Sequence, residues 1–358
     1  MPLKAVVCVL LSSFSWSASE WPAEEDHLIF LFQDMNEEIY AFLPGDDEPL
    51  FDYGFKREGF ATTSASGALQ PAQGRFIAPN QGKTLKAAMT DAKGFALQVH
   101  VTTPKDMAGK QVILTLGSQG GEPDFALYQE GSSLSFSLNA DAGRLNATAP
   151  LPSSDCRLAV SADAGGLTLY VNGQQVTRVK GNGGSYTNWS GGELTIGAGE
   201  PGRAGWHGQL DGLALFTKSL DAETIAADSK AFSQMQSMRR EPRQLYLKAR
   251  LVAKSKLPTL KDISPYSESL AVFEYEIVEV TKGMILANRI RIAHWTILGG
   301  QYTPYRDAPI GTVTEMVVEP FRANRQLKTV NMSDSLPLDP KGDNYYDASR
   351  MALRWQKP

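Results

Sequence analysis

The stretch G-W-H-G-Q-L-D-G-L-A-L-F, residues 205–216, with L-D-A-E-T-I at residues 220–225, decides how the larger part of this chain folds. Gln209 to Phe216 has the length of one β-strand and ends in an apolar run. A helix signal follows at once. Asp221 is a helix N-cap, since its carboxylate can accept from the amides of the next turn, and Glu223 sits favourably against the positive end of the helix dipole. Ile225, Ser229, Phe232 and Met235 or Gln236 recur at three- to four-residue spacing, one weak apolar stripe. A strand that runs into a one-sided helix in this way closes a domain.

Upstream, from Leu28 to Phe216, short strands alternate with turns rich in Gly, Asn and Asp, the pattern of a β-sandwich. Phe95 to Val101, Gln111 to Leu116, Phe125 to Tyr128, Leu134 to Leu138, Arg157 to Ser161, Leu167 to Val171 and Glu193 to Ile196 are examples. The clearest hairpin is L-T-L-Y-V-N-G-Q-Q-V, where Asn172-Gly173 supplies the pair of positive-φ residues that a two-residue turn needs.

Downstream, residues 237–244 are charged and broken by Pro242, and read as a linker. From Leu245 a second strand pattern begins: Tyr246 to Ala253, Leu270 to Val280, Arg289 to Trp295 and Thr312 to Glu319. In F-E-Y-E-I-V-E-V, Phe273, Tyr275 and Ile277 alternate with Glu274 and Glu276, and a register change near Ile277-Val278 suggests a bulge. About four or five strands in roughly 100 residues predict a small barrel, residues 245–358, with a long Pro- and Asp-rich C-terminal tail over its surface. The predicted fold class is all-β, a sandwich over residues 27–236 with its closing helix and then this barrel.

At 358 residues, 42% hydrophobic and 21% charged, the chain can bury a sizeable core. Its net charge of -4 divides into -10 over residues 1–238 and +6 over residues 239–358. An acidic first part and a dispersed basic excess in the second exclude a nucleic-acid-wrapping protein. Lys4, the apolar stretch Ala5 to Leu11 extended through Phe14 and Trp16, and the small residues Ser15, Ser17, Ala18 and Ser19 predict a cleaved signal peptide over residues 1–19, cut after Ser17 or Ser19. No other stretch is apolar enough to span a membrane, so a soluble chain, secreted or periplasmic, is expected. Cys8 lies inside the signal's apolar run, where it cannot carry a lipid anchor. Cys156 is then the single mature cysteine, without a disulfide partner.

The first region resembles the laminin-G-like, concanavalin A-like jelly roll of many exported bacterial proteins. H-L-I-F-L-F, F-A-L-Q-V-H-V, L-T-L-Y-V-N-G-Q-Q-V, L-T-I-G-A and the Gly-x-Leu-Asp-x-Leu-x-Leu-Phe strand before its capped helix carry the likeness, over roughly residues 27 to 235. It implies a fold more than a ligand, because lectins, glycosidases and adhesion modules share it. The second region resembles a domain that accompanies exopolysaccharide-modifying systems, through D-I-S-P-Y, F-E-Y-E-I-V-E-V-T-K-G, I-R-I-A-H-W, E-P-F and N-Y-Y-D. Its strand-Lys-Gly-strand arrangement is also similar to netrin-type and metalloproteinase-inhibitor barrels. Those inhibitors present an N-terminal cysteine to a metal, nothing equivalent exists here, and the activity does not carry over.

Candidate chemistry is sparse. Retaining jelly-roll hydrolases use Glu-x-Asp-x-x-Glu, whereas E-P-D-F-A-L-Y-Q-E has Leu127 at the third position. Alternation puts Glu122, Asp124, Tyr128 and Glu130 on one face, but Glu122 and Glu130 would lie about 26 Å apart, too far to flank one glycosidic bond. No G-x-S-x-G elbow is present, and His27, His100, His207 and His294 are scattered. His100 reads as a half-buried strand residue. His294-Trp295 reads as a packed pair before a long loop, with a catalytic role as the alternative. Calcium, common in laminin-G-like folds, makes Asp211 a candidate metal ligand, while Asp141 and Asp163 look like turn residues.

Sugar binding is the sharper site expectation. The loop G-N-G-G-S-Y-T-N-W-S-G-G offers the aromatic faces of Tyr186 and Trp189 with the amides of Asn182 and Asn188, and Trp206 and His207 are expected nearby. The competing reading makes the tryptophans plugs at the sandwich ends. Sequons at Asn146, Asn188 and Asn331 matter only in a eukaryotic secretory pathway and are set aside. The chain is thus expected to be an exported, non-enzymatic binding or accessory protein with a polysaccharide or an extracytoplasmic protein as partner. A glycan-active enzyme and a structural adhesion protein are the alternatives.

Overall fold

The computed structural model describes residues 21–23, 27–33, 38–41, 50–52, 54–105, 107–118, 120–200, 205–239, 241–337 and 344–349. The expected signal peptide, with Cys8, and the end of the expected tail lie outside the described residues. The described chain is mostly strands with few helices, as expected from the turn-punctuated pattern.

Two sheets form the sandwich. One runs, in spatial order, Gln174–Lys180, Gly166–Val171, Asp155–Asp163, Phe95–Thr102, Gln209–Phe216, Leu28–Gln33, Glu38–Ala41 and Leu50–Asp52. The other runs Gly143–Pro150, Ser133–Ala140, Phe125–Glu130, Lys110–Gly117, Glu193–Ile196, Gly74–Ala78 and Lys56–Gly59. Between them lies one apolar core that includes Phe76, Phe95, Phe125, Phe136, Leu210, Leu213 and Leu215. The Asn172-Gly173 turn has both residues at positive φ, 52° and 79°, and pairs Val171 with Gln174 as the sequence predicts.

The deciding stretch holds a feature that alternation does not announce. Leu210 pairs with Val101 and Gly212 with His100, which leaves Asp211 as the extra residue of a β-bulge. The bulge shifts the register, so Leu210, Leu213 and Leu215 all face the inter-sheet core while Ala214 and Phe216 face outward. That outer face is covered by helix Ala222–Ser237. Asp221 caps it through Thr224 N at 2.8 Å, and its Ile225, Asp228 and Phe232 are buried. The expected stripe holds at Ile225 and Phe232, but the third buried position is Asp228, whose carboxylate accepts from Gln98 and from Ala23 N. A strand covered on both sides needs apolar residues on both sides, hence L-A-L-F.

Two helices went unread. Gln81–Met89 follows Asn80, an N-cap residue type whose side chain here makes no capping bond and whose φ is 61°. Leu260–Ile263 is a single turn closed by a Thr259–Asp262 capping box.

The second domain is a closed five-stranded barrel: Arg289–Leu298, Tyr345–Asp347, Val313–Pro320, Leu245–Lys254 and Ser269–Lys282, which pairs back to Arg289–Leu298. The suspected bulge exists, since Lys248 pairs with Glu279 and Ala249 with Ile277, skipping Val278. It turns Val278 to solvent at 49% exposure rather than gathering the β-branched residues on one face. The expected surface tail is corrected in part: Tyr345–Asp347 is a staple of the barrel wall, parallel to Arg289–Leu298 and antiparallel to Val313–Pro320. Three residues are too few to show alternation.

The two domains pack closely. Phe60, from the sandwich, is 5% exposed and belongs to the barrel's apolar cluster. Arg57 pairs with Glu268 at 2.8 Å, and Gln326 donates to Thr63 O at 3.5 Å. Gly299, at φ +58°, lies against Gly59, and a Cβ on it would meet Gly59 O at 2.6 Å.

Candidate functional site

The expected sugar loop is not an exposed aromatic support. Tyr186 is 0% and Trp189 1% exposed, and both rings pack on Phe95, with Trp189 also on Phe125. Trp189 donates its indole N–H to Asn139 O at 2.8 Å, and the Tyr186 hydroxyl donates to Gly183 O. Burial pushes the Tyr186 hydroxyl well above its usual range. The rings are core, and the plug reading is the one that fits them. Asn188 stays exposed, its side chain donating to Ala140 O at 3.2 Å. Asn182 caps its own turn by accepting from Gly184 N.

Trp206 and His207 are not brought to that loop. Trp206 is buried and donates to Gln129 Oε1 at 2.9 Å. The loop is instead pinned by Asp124, which accepts from Ser190 N at 2.8 Å and Ser190 Oγ at 2.9 Å. Asp124 precedes the strand Phe125–Glu130 and Gln129 lies near its far end, about 16 Å away at the extended rise. His207 is buried at 6% exposure.

The structure places Asp211, the candidate calcium ligand, in an ion pair. It is buried and accepts from Arg239 Nη1 at 3.2 Å, an ion pair between the bulge and the residues after the closing helix. Burial raises its carboxyl to about 6 against the pull of Arg239. Among the described residues no group of three or more His, Cys, Asp or Glu is placed to hold a metal ion. Burial likewise pushes the Cys156 thiol up to about 12, which makes it an inert core residue.

The hydrolase-like face does not assemble either. Asp124 is buried under the loop, and Glu122 is exposed and paired with Arg144 at 3.0 Å.

The place where chemistry-bearing side chains do converge is the junction of sandwich and barrel. A cleft of about 210 Å³ lies there. Its sandwich wall is the Thr62–Thr63 strand with its Ser64-Ala65-Ser66 turn, plus Gln70 and Gln209; its barrel wall includes Trp295, Glu319 and Tyr346. Register explains the barrel side. Glu319 pairs with Tyr346, and directly paired residues share a face of the sheet. Trp295 donates to the Tyr346 hydroxyl at 3.0 Å, and Gln244 donates to Glu319 Oε1 at 2.9 Å. Burial raises the Glu319 carboxyl, with Gln244 and Asn324 bonds pulling it down.

Val318 pairs with Asp347, so Asp347 takes the opposite face and enters the barrel. There it meets His294 Nδ1 at 3.0 Å and accepts from the Tyr305 hydroxyl, while His294 Nε2 lies 3.0 Å from the Tyr275 hydroxyl. His294 is 0% exposed with both ring nitrogens engaged, which matches the packed reading and leaves it no face for a substrate. Asp347 and Tyr305 border the cleft at the barrel's mouth. Sequence reasoning singled out Trp295 and the N-Y-Y-D string but missed the cleft, because its other wall is some 230 residues away at Thr62.

One family profile matches the chain within the sandwich and the start of its closing helix. Residues 78–226 match the concanavalin A-like lectin/glucanases superfamily. The superfamily match ends inside the closing helix and leaves the barrel outside it. No curated protein matches the chain in sequence. Among solved structures it is similar to the botulinum neurotoxin serotype D/C binding domain, at 14% identity and TM-score 0.45, covering 85% of this chain and 83% of that one. It is also similar to the receptor-binding domain of the mosaic serotype C/D neurotoxin, at 10% identity and TM-score 0.47, covering 82% and 73%. A third is the serotype DC binding domain in complex with rat synaptotagmin II, at 11% identity and TM-score 0.41, covering 80% and 74%.

Proposed function

We propose that this chain is an exported, secreted or periplasmic, non-enzymatic binding protein whose junction cleft holds a polysaccharide. One observation carries the reading: hydroxyl and amide side chains of the sandwich line one side of the cleft, and amide and carboxylate side chains of the linker and barrel, Gln244, Glu319 and Asn324 among them, line the other. Hydroxyls, amides and carboxylates can donate to and accept from sugar hydroxyls. Export rests on the sequence of residues 1–19. Among the described residues no helix is long and apolar enough to cross a membrane. The exopolysaccharide setting rests on the resemblance of the barrel strings alone. Calcium has no part in the proposed cleft, so binding is expected to persist in chelator.

The test uses the mature chain from Glu20 on immobilised polysaccharides, with reducing-end release followed in parallel. Retention that is lost in Ala65→Trp, with no release of ends, supports the reading. Turnover of a glycan, or retention untouched by Ala65→Trp, would contradict it.

A second reading, a protein partner, is favoured by the Lys282-Gly283 hairpin tip, where Met284 is 67% and Leu286 93% exposed. Retention of glycan-free partner protein that is lost in Leu286→Ser would support it.

A further inference from the structure

We infer that a second pocket between the domains, which shares Thr63 and Trp295 with the junction cleft, binds a small aromatic molecule carrying one hydrogen-bond donor, a ligand of the phenol type. This site is separate from the saccharide reading and does not depend on it.

The pocket has a volume of about 230 Å³. Phe32, Leu69 and Phe76, which line it, belong to the sandwich core, and Trp295 and Leu327 belong to the barrel core. Each of these five side chains is 5% exposed or less. Two apolar cores therefore meet here without filling the space between them, whereas voids larger than a water molecule are few in a folded domain. An apolar cavity of ~150 Å³ takes up benzene, so this one has room for a substituted six-membered ring.

The walls favour an aromatic occupant. Phe55 also lines the pocket, with its ring edge-on to Phe32 at 5.3 Å and to Phe76 at 6.2 Å between centroids. A guest ring among Phe32, Phe55, Phe76 and Trp295 gains the same edge and offset contacts beyond its area burial.

Gln326 supplies the polar requirement. It lines the pocket, and its Nε2 donates to Asn324 Oδ1 at 3.0 Å and to Thr63 O at 3.5 Å. Its Oε1 is buried and has no hydrogen-bond partner among the described residues. An acceptor left in that state is costly, and a ligand O–H or N–H satisfies it. Sites for small molecules have this composition, mostly apolar with a few placed polar groups. Arg57, a cation of the lining, is paired with Glu268 at 2.8 Å, so the ligand needs no anionic group. Tyr53 adjoins Gly54 of the lining and lies outside the described residues; the meeting of the two cores and the orphan Oε1 stand without it.

The test is leucine-methyl NMR of the mature chain titrated with phenol, with toluene, which lacks the donor, and with cyclohexanol, which lacks the aromatic ring. Phenol is expected to shift the Leu69 and Leu327 methyls and to bind about 5-fold or more tighter than toluene and about 2-fold or more tighter than cyclohexanol. Gln326→Leu is expected to bring phenol down to the affinity of toluene. The wild-type comparison stands by itself if that variant folds poorly. Toluene or cyclohexanol binding as tightly as phenol would overturn the ligand class. Leu69 and Leu327 methyls that do not move under saturating phenol, or a preference for phenol that survives in folded Gln326→Leu, would overturn the site.

Discussion

Gln244 donates its side-chain amide to Glu319 Oε1 at 2.9 Å, which ties the stretch between the two domains to the barrel wall of the cleft. The sandwich wall is held by its own chain of bonds: Thr62 Oγ1 donates to Gln70 at 3.3 Å, Gln70 to Gln209 at 3.3 Å, and Gln209 to Asp211 at 3.2 Å. Asp211 in turn accepts from Arg239 at 3.2 Å. Both walls are therefore fixed by side chains before any ligand arrives, and preorganised walls lower the ordering cost of binding.

The cleft depends on how closely the domains dock. Gly299→Val adds a Cβ where Gly59 O lies 2.6 Å away, at a backbone φ of +58° that valine tolerates poorly. The expected outcome is a loosened junction, read as new protease cleavage near residues 237–244 and a larger radius of gyration in solution scattering, with saccharide retention lost. An unchanged radius and cleavage pattern would show that the junction does not rest on this contact.

His100 sets an acid limit on stability. It is 2% exposed, stacked on Phe232 with ring centroids 3.6 Å apart, and neither ring nitrogen has a hydrogen-bond partner among the described residues. Burial, then the charges of Arg157 and Arg239, holds it well below the usual histidine value of 6.5. Below that pH the unfolded chain takes a proton that the folded chain refuses, so stability falls as pH drops. His100→Leu is expected to remove that slope and to be neutral or stabilising by about 1 kcal/mol, measured by urea titrations between pH 5 and 8.

Asp211 has the opposite sign. Its folded carboxyl is raised to about 6 from an ordinary 3.8, so between those values the folded chain holds a proton the unfolded one has lost. Its contribution is fully present below the unfolded value and is lost as pH rises through the folded one. Asp211→Asn is expected to leave only the loss on acidification that His100 causes, and Asp211→Asn with His100→Leu is expected to be flattest. A single variant with the wild-type slope would contradict the assignment.

Trp189 and Asp124 are expected to be stability residues. Trp189→Ala removes a fully buried ring and is expected to cost about 3–5 kcal/mol. Asp124→Ala leaves Ser190 N, Ser190 Oγ and Gly191 N without their acceptor. Either variant, once refolded, is expected to retain saccharide like wild type, as checked by the same retention assay. Selective loss of binding with unchanged stability would restore the loop as a sugar site.

The fold was legible where residues signal locally. Asn172-Gly173, the Asp221 cap and the skipped Val278 each follow from side-chain or backbone preferences over a few residues. The Asp211 bulge was not legible, because one inserted residue in an apolar run leaves composition unchanged while moving every later side chain to the other face. Exposure misled the site reading for a related reason: Tyr186 and Trp189 sit in a Gly- and Asn-rich loop whose composition suggests solvent, yet the loop is folded back by Asp124 from a distant strand. The cleft is more distant still, since Thr62, Gln209, Trp295 and Tyr346 meet only once both domains have formed and docked.

The most direct test of the central claim is amide hydrogen exchange of the mature chain with and without a retained neutral oligosaccharide. Protection confined to residues 62–70, 241–246 and 344–349 is the result expected if the ligand lies in the junction cleft. Protection over residues 181–192 with none at the junction would contradict it.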